Sequence, residues 1–218
     1  MPFSQQTPMP LVVIAGYTGS GKTEILRDLH SKGQQVINLE ALASHNGSVF
    51  GHLPNLRSPS SFFFHKALAR IQQKFDWSLP VFCENKSLTL GHLQIPGWLF
   101  RQMQSAPTIW LNVKKEIRLQ RILSAYGKTD TLAFKEALRN LSKQLSARQS
   151  DDIARFYEQG LTNEIFKLLM EYYDDGLNYQ KGERMIIGEI DIEEWNQENI
   201  TTMVMRFTES RLTSFSNR

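Results

Sequence analysis

The sequence predicts an α/β fold in which a mostly parallel sheet is covered by helices on both faces and is followed by a helical C-terminal portion. Two observations lead to this: short apolar runs alternate with segments of helical spacing, and two helical stripes follow one another after about residue 130. With 218 residues, 41% of them hydrophobic and 22% charged, the chain is long enough to bury one domain core. We therefore expect a single domain over residues 1–218, with a loose N-terminal lead at 1–10 and a helical subdomain or lid-like segment at 128–180.

Five short apolar runs predict the strands of the sheet. Runs that are apolar on both faces are typical of parallel strands, and the helical segments between them suit crossover connections. The predicted strands are Leu11–Ala15, Gln35–Leu39, Leu79–Cys83, Thr108–Val113 and Met185–Ile190.

Apolar residues at helical spacing predict the helices. In one of them Ser60 is a plausible N-cap, and Phe64, Leu68 and Ile71 follow on one face. The other predicted helices are Thr23–Ser31, Pro96–Ser105, Glu116–Tyr126, a stripe from Phe134 to Leu145, a stripe from Ile165 to Tyr172, and Asn199–Leu212. Between helix and strand signals, Glu40–Ser60 is rich in Gly and Pro and predicts a long loop of the kind that binds or covers a ligand.

A phosphate-binding loop is predicted directly after the first strand. Residues 16–23, Gly-Tyr-Thr-Gly-Ser-Gly-Lys-Thr, match the Walker A pattern G-x-x-x-x-G-K-[ST]. The glycines allow backbone angles that let successive N–H groups surround phosphate oxygens, and the helix that follows directs its dipole at the same anion. The alternative is a Gly-rich turn that merely links strand and helix, but the flanking strand and helix are the context that the motif requires. We therefore predict a P-loop NTPase-type fold.

The loop residues have distinct expected roles. We expect Lys22 to reach the terminal phosphates of ATP, GTP or another phosphate ligand, and Thr23 Oγ to hold Mg²⁺. The residues expected to bind the ligand in this loop are Gly16, Thr18, Gly19, Ser20, Gly21, Lys22 and Thr23.

Two acidic residues are predicted at the same edge of the sheet as the loop. Glu40 follows the second strand and Glu84 follows the third, and ligands of open α/β sheets bind at the carboxyl ends of the strands. Each is a candidate Mg²⁺ ligand or substrate contact, or else an ordinary solvated acid. Glu84 is the stronger candidate because an apolar strand runs directly into it, as in a Walker B segment.

Basic residues follow the fourth predicted strand. Arg118 and Arg121 are spaced to share one side of a helix, and Arg121 is a candidate phosphate contact, although such a run is often just a solvated face. Together with Arg139, Lys143 and Arg148 they are hypothesised to form a surface that faces nucleic acid. The formal net charge of +3 is compatible with nucleic acid or phosphorylated ligands but specifies neither.

Cysteine content and hydropathy indicate the cellular compartment in which the protein works. A single cysteine, Cys83, excludes an intrachain disulfide and fits the reducing cytoplasm, and its apolar strand predicts a buried side chain rather than a nucleophile. The apolar runs are too short to span a bilayer, and the N-terminus lacks the apolar core of a signal peptide. We expect a cytoplasmic protein without a membrane partner.

Several segments together resemble the P-loop domain of tRNA 2-selenouridine synthase, over about Leu11 to Asp175. The most specific is the stretch Leu-Glu-Ala-Leu-Ala-Ser-His-Asn-Gly-Ser-Val-Phe-Gly at 39–51. The other segments are 16–23, Glu84-Asn-Lys-Ser at 84–87 with Gly91, Pro-Gly-Trp-Leu at 96–99, and Tyr-Tyr-Asp at 172–174. The resemblance implies modification of the tRNA wobble uridine, in which 2-thiouridine is geranylated from geranyl diphosphate and then converted to 2-selenouridine with selenophosphate.

The resemblance also implies a set of site residues and partners. Lys22, His45 and Glu84 are the expected catalytic residues, and the anticodon stem-loop of tRNA is the expected partner. The further residues implied to line the site are Glu40, Gly47, Ser48 and Ser87. The family's rhodanese-like domain, which carries the cysteine for selenium transfer, precedes the P-loop domain. We expect a separate rhodanese-domain partner, the chain being an excised domain, a split-gene form or a diverged relative.

Three positions depart from the family pattern, and two other functions stay open. Asn46 stands in place of an arginine, Lys86 in place of an acid and Asp175 in place of a proline. The alternatives are a small-molecule or nucleotide P-loop kinase, in which Glu40 would contact the acceptor, and a non-catalytic nucleotide-binding subunit. The stretch at 45–51 favours the tRNA-modifying enzyme over the kinase, because a simple kinase has no evident need for it.

Overall fold

A parallel sheet of five strands forms the centre of the computed structural model, which describes residues 9–44, 58–126 and 131–215. Its strands are β1 (Leu11–Gly16), β2 (Gln35–Ile37), β3 (Val81–Glu84), β6 (Thr108–Val113) and β7 (Ile186–Ile192), in the order β2-β3-β1-β6-β7. All four pairings are parallel, and each of the five predicted strands is present. A short antiparallel hairpin of β4 (Thr89–Leu90) and β5 (Leu93–Gln94), which we did not predict, stands apart from this sheet.

Helices connect the strands and cover the sheet. Their bounds are α1 (Lys22–Ser31), α2 (Leu39–Leu42), α3 (Ser61–Gln72), α4 (Gly97–Ser105), α5 (Lys115–Tyr126), α6 (Thr131–Ser142), α7 (Ala147–Glu158), α8 (Thr162–Gly182) and α9 (Gln197–Phe215). Helix α3 begins after the predicted N-cap, since the Ser60 side chain accepts a hydrogen bond from the amide of Phe63. Within the described ranges, none of the helices combines the length and the apolar character that a membrane span requires.

The central strand β1 is buried on both faces. Val12 and Ile14 pack into a cluster that includes apolar residues of α1 and α9, whereas Val13 and Ala15 pack into a second cluster with residues of α3 and α4. All four side chains are fully buried. This two-sided burial is what a central parallel strand requires, and it confirms the predicted α/β architecture with helices on both faces.

The helical C-terminal portion has a core of its own. Apolar residues of α6, α7 and α8 pack together with Ile122 of α5, and Leu141, Ile165 and Phe166 are almost fully buried there. A role of residues 128–180 as a lid stays a prediction, and 127–130 lie outside the described residues.

Two boundaries differ from the sequence-based expectation. The stripe from Phe134 to Leu145 does not form one helix, because α6 ends at Ser142 and a capping box at Ser146, closed by Gln149, starts α7. This Ser-x-x-Gln signal was present in the sequence. The lead at 1–10 is not loose throughout, because Met9 is buried in the core, while residues 1–8 lie outside the described residues.

The long loop that we expected from Glu40 does not begin there. Strand β2 ends at Ile37, and Asn38 caps the short helix α2 by accepting a hydrogen bond from the amide of Ala41 at 2.9 Å. Glu40 therefore lies on a helical turn and is buried, with 7% of its surface exposed. Asn is a favoured N-cap residue, and this was the signal in the sequence that indicated the turn.

Candidate phosphate-binding site

The loop between β1 and α1 has the backbone that an anion site needs. Gly19 and Gly21 have φ values of 79° and 76°, in the left-handed region that favours glycine. Gly21 is also the N-cap of α1, so the first-turn amides of this helix have no partner within the helix and point toward the loop. Together these features produce a concave backbone at a helix start, which is the arrangement that binds phosphate groups.

The side chain of Lys22 is folded back over the loop. Its Nζ donates hydrogen bonds to the Gly16 carbonyl at 2.9 Å, the Tyr17 carbonyl at 3.0 Å and Ser20 Oγ at 3.2 Å. Burial, reinforced by the nearby positive charge of Lys86, lowers the pKa of Lys22 to about 8. An anion bound in the loop would favour the protonated amine and raise that pKa.

Thr23 brings the two predicted acids together. Thr23 Oγ1 donates a hydrogen bond to Glu40 Oε2 at 2.8 Å and lies 3.4 Å from Glu84 Oε2. Glu84 is fully buried, and this burial raises its pKa, although the attraction of Lys86 opposes the change. The other oxygen, Glu84 Oε1, is buried and accepts no hydrogen bond within the described part of the chain.

Lys86, to which the sequence assigned no role, lies between the same two acids. Its Nζ forms ion pairs with Glu40 Oε1 and, at 3.2 Å, with Glu84 Oε2. Burial lowers the pKa of Lys86, but the attraction of Glu84 and Glu40 is larger and leaves it above its ordinary value. The hydroxyl and carboxylate oxygens are of the type that Mg²⁺ prefers. They converge, however, where this ammonium already binds them, so the arrangement does not accommodate Mg²⁺ unless Lys86 moves.

Arg118 is a buried residue that links separate segments of the fold, not a surface charge. Its guanidinium donates to the Thr18 carbonyl at 3.0 Å and forms a two-point ion pair with Asp174, at 2.8 and 3.1 Å. It also lies over the Tyr17 ring, 5.0 Å from the ring centroid. Only 5% of Arg118 is exposed, so it joins the loop, α5 and α8, and our expectation that it faces nucleic acid is wrong.

Arg121 is likewise committed to the loop. Its guanidinium stacks 3.5 Å from the centroid of the Trp195 ring, its Nε donates to the Gly19 carbonyl at 3.3 Å, and its Nη2 pairs with Glu24 at 2.9 Å. It borders the candidate ligand site, where its role as a phosphate contact stays a prediction, and only 20% of its side chain is exposed for the hypothesised nucleic-acid surface. The three other residues of that hypothesised surface, Arg139, Lys143 and Arg148, are exposed.

A cleft of about 910 Å³ opens above the loop, between the end of β3, α5 and α8. The predicted site residues that line it are Gly16, Thr18, Gly19, Gly21, Lys22, Thr23, Glu40, Ser87 and Arg121. Ser20 is buried below the loop. Glu84 does not line the cleft itself, but it contacts Thr23 and Lys86, which do. His45, Gly47 and Ser48 lie outside the described residues.

Other residues, which we did not predict as site residues, also line the cleft. Arg27 of α1, Lys86 after β3, and Tyr172, Tyr173 and Gln180 of α8 line it. Sequence spacing gave no reason to bring α8 to the loop, although Tyr172 and Tyr173 belong to a segment of the resemblance.

The only cysteine of the chain adds no nucleophile to this site. Cys83 is fully buried in β3, as predicted, and burial together with the adjacent Glu84 raises the pKa of its thiol. A thiol in such surroundings is unreactive.

Comparison with known proteins decides the family. The model of the tRNA 2-selenouridine synthase AAA domain matches residues 9–204, which include the loop, both acids and α8. This chain belongs to that family. Within it, the tRNA 2-selenouridine synthase of Ectopseudomonas mendocina is 28% identical over 201 residues, covering 78% of this chain and 52% of that protein. The enzyme of the same name from Bdellovibrio bacteriovorus is 34% identical over 120 residues, covering 53% and 31%.

The family assignment confirms the resemblance drawn from the motifs. The chain spans about half the length of curated relatives such as that of Ectopseudomonas mendocina. Among solved structures, a tRNA isopentenylpyrophosphate transferase from Bacillus halodurans superposes with a TM-score of 0.50 at 13% identity, covering 96% of this chain and 99% of that one. At that identity the likeness shows a shared P-loop fold.

Proposed function

We propose that this chain is the P-loop part of an enzyme that modifies the wobble uridine of tRNA, and that its cleft binds a phosphate or diphosphate group over residues 16–23. The observation that carries the proposal is the convergence of the loop, the two acids and α8 around one cleft in a member of this family. The cleft has a volume typical of small-molecule sites.

Geranyl diphosphate is the ligand whose chemistry fits best with a tRNA substrate. In the proposed step, the sulfur of 2-thiouridine attacks C1 of the geranyl group, the bond from C1 to the diphosphate oxygen breaks, and the N3 proton of the base is released to solvent. The diphosphate leaves with the bonding electrons, so negative charge develops over the loop. The loop amides and Lys22 are placed to stabilise that charge, and Arg27 adds a positive charge at the cleft wall.

A thermal-shift screen tests the phosphate site. A ligand at a hundred times its dissociation constant stabilises a protein by about 2.7 kcal/mol, which corresponds to a Tm increase of about 5–10 °C for a chain of this size. Geranyl diphosphate, inorganic pyrophosphate, ATP and GTP are compared, and geranyl diphosphate is expected to give the largest shift. Lys22→Ala should abolish the shift, and Lys74→Ala, which removes an exposed lysine, should preserve it.

The outcomes of this screen separate the alternatives. A shift with ATP alone, together with phosphoryl transfer to a small acceptor, would favour the kinase. A nucleotide shift without turnover would favour the non-catalytic subunit. No shift with any of these ligands, or an undiminished shift in Lys22→Ala, would overturn the proposal.

We also propose that tRNA binds through its anticodon stem-loop, and that selenium transfer needs a rhodanese-domain partner in the same cytoplasmic compartment. The buried thiol of Cys83 supports this division of labour. With 2-thiouridine tRNA and geranyl diphosphate, the chain alone is expected to yield at most the S-geranyl nucleoside by mass spectrometry. Formation of 2-selenouridine from selenophosphate without a partner would refute the division. The expected binding of Mg²⁺ at Thr23 and Glu84 is untested and is not part of this proposal, because the ammonium of Lys86 contacts the same Glu84 oxygen as Thr23.

A further inference from the structure

Lys86 places a positive charge at the edge of the cleft, where the oxygens of three other side chains meet. Its Nζ contacts one oxygen of Glu40 and, at 3.2 Å, Oε2 of Glu84. Thr23 Oγ1 contacts the other oxygen of Glu40 and the same Oε2 of Glu84. The two acids thus share one ammonium and one hydroxyl, and the lysine side chain is only 12% exposed.

The charges of two lysines and two acids at this edge of the cleft balance without a metal ion. Lys22 and Lys86 contribute two positive charges, and Glu40 and Glu84 contribute two negative charges, so their sum is zero. A buried carboxylate pair needs a cation, and a divalent metal is the usual one beside a bound phosphate. Here the ammonium supplies that charge from within the chain.

The ammonium also has a donor left for a ligand. A protonated lysine carries three N–H donors, and two of those of Lys86 are directed to the carboxylates. Lys86 lines the cleft beside Lys22 and Thr23, and no described residue other than the two acids accepts from its ammonium, so its third donor can reach a phosphate oxygen bound over the loop. Mg²⁺ would require near-octahedral oxygen ligands at about 2.0–2.1 Å, which cannot form while the same oxygens bind the ammonium.

We infer that Lys86 serves as a tethered cation in the place of Mg²⁺, and that the cleft binds a diphosphate group without a divalent metal. The inference rests on the proposed phosphate site. Lys86, which lies outside the loop, then acts as the counter-ion of the two acids, and the diphosphate binds in the absence of Mg²⁺.

Calorimetric titration with inorganic pyrophosphate, in 5 mM Mg²⁺ and in excess chelator, tests the inference. For the wild type, the dissociation constant is expected to change less than about threefold between the two conditions. In Lys86→Met the carboxylates lose their counter-ion, so affinity in chelator should fall at least tenfold and recover in Mg²⁺. Lys86→Arg keeps the charge and should behave like the wild type. A tenfold loss in the wild type on removal of Mg²⁺, or the same metal response in Lys86→Met as in the wild type, would overturn it.

Direct metal binding gives a second readout that does not depend on the phosphate ligand or on a stable Lys86→Met variant. Electron paramagnetic resonance with Mn²⁺ alone is expected to show no site in the wild type and one site in Lys86→Gln. One Mn²⁺ site in the wild type that Glu84→Gln removes would refute the tethered cation. If the wild type binds no pyrophosphate in either condition, the proposed phosphate site fails, whereas Mn²⁺ binding that needs the loss of Lys86 still supports the cation role.

Discussion

Replacing Asp174 with alanine should cost more stability than the loss of any surface ion pair of this chain. Asp174 holds the guanidinium of Arg118 at two points, 2.8 and 3.1 Å, where only 5% of the arginine and 15% of the aspartate side chain are exposed. Removing one partner of a buried pair leaves the other charge uncompensated, which costs about 3–5 kcal/mol. Because water reaches part of Asp174, we expect the lower end, about 3 kcal/mol.

Urea denaturation with linear extrapolation measures this cost. A loss of about 3 kcal/mol also corresponds to a Tm decrease of about 6–12 °C for a domain of this size. Asp152→Ala is the matched control, since Asp152 pairs with Arg155 three positions away on the surface of α7, where such a pair contributes about 1 kcal/mol or less.

A double variant separates a buried charge from a simple loss of packing. Arg118→Met with Asp174→Leu removes both charges and should recover at least half of the stability lost in Asp174→Ala, because no unpaired charge remains. Two outcomes would show that the Arg118–Asp174 ion pair does not join the loop, α5 and α8. One is that Asp174→Ala costs no more free energy of unfolding than Asp152→Ala, and the other is that the double variant loses the sum of what its two single substitutions lose.

Four other predictions concern the loop and the nucleic-acid surface. Because the pKa of Lys22 is lowered to about 8, its amine loses its proton between pH 7 and 9. The affinity for geranyl diphosphate measured by calorimetry should therefore fall about tenfold over this range, and a flat profile would contradict the assigned contacts. Without ligand, the same lowered pKa means that the unfolded chain binds more protons between pH 8 and 10.5, so the Lys22 contribution should make the free energy of unfolding rise with pH there. Gly21→Ala puts a Cβ 2.1 Å from the Trp195 ring at a φ of 76° and should cost clearly more in urea denaturation than Gly33→Ala, which has a φ of 80° and open space around it. Binding of an anticodon stem-loop should weaken steeply with salt, and Arg139→Glu with Lys143→Glu should flatten that slope; equal slopes would remove these two exposed residues from the interface.

The strands were predictable because their signal is local. Runs such as Leu11–Ala15 are apolar on both faces, and only a central parallel strand buries both. The order of the strands is not local, since it depends on pairings such as Leu11 with Val81, which no spacing in the sequence specifies. The break between α6 and α7 was missed although the capping box at Ser146 is a local signal. The apolar stripe continues to Leu145, directly before the capping box, and therefore suggested one continuous helix.

The site was predictable where one segment builds it and unpredictable where distant segments meet. The loop follows from residues 16–23 alone, and the carboxyl ends of parallel strands explain why Glu40 and Glu84 approach it. Lys86 acquires its role from Glu40, which lies 46 positions earlier. Arg118 was expected outside because helical spacing defines a shared face but does not say whether another helix, here α8, covers it.

Helix α8 is fastened to the rest of the fold at several places along its second half, two of which are Asp174 and Gln180. Asp174 is held by α5, and Gln180 accepts a hydrogen bond from the side chain of Asn85, which follows β3, at 3.3 Å. Six residues of helix separate these points by about 9 Å, so the stretch between them cannot turn against the sheet without releasing both. A closing movement of the helical portion would therefore have to bend α8 before Asp174, next to Tyr172 and Tyr173, which line the cleft.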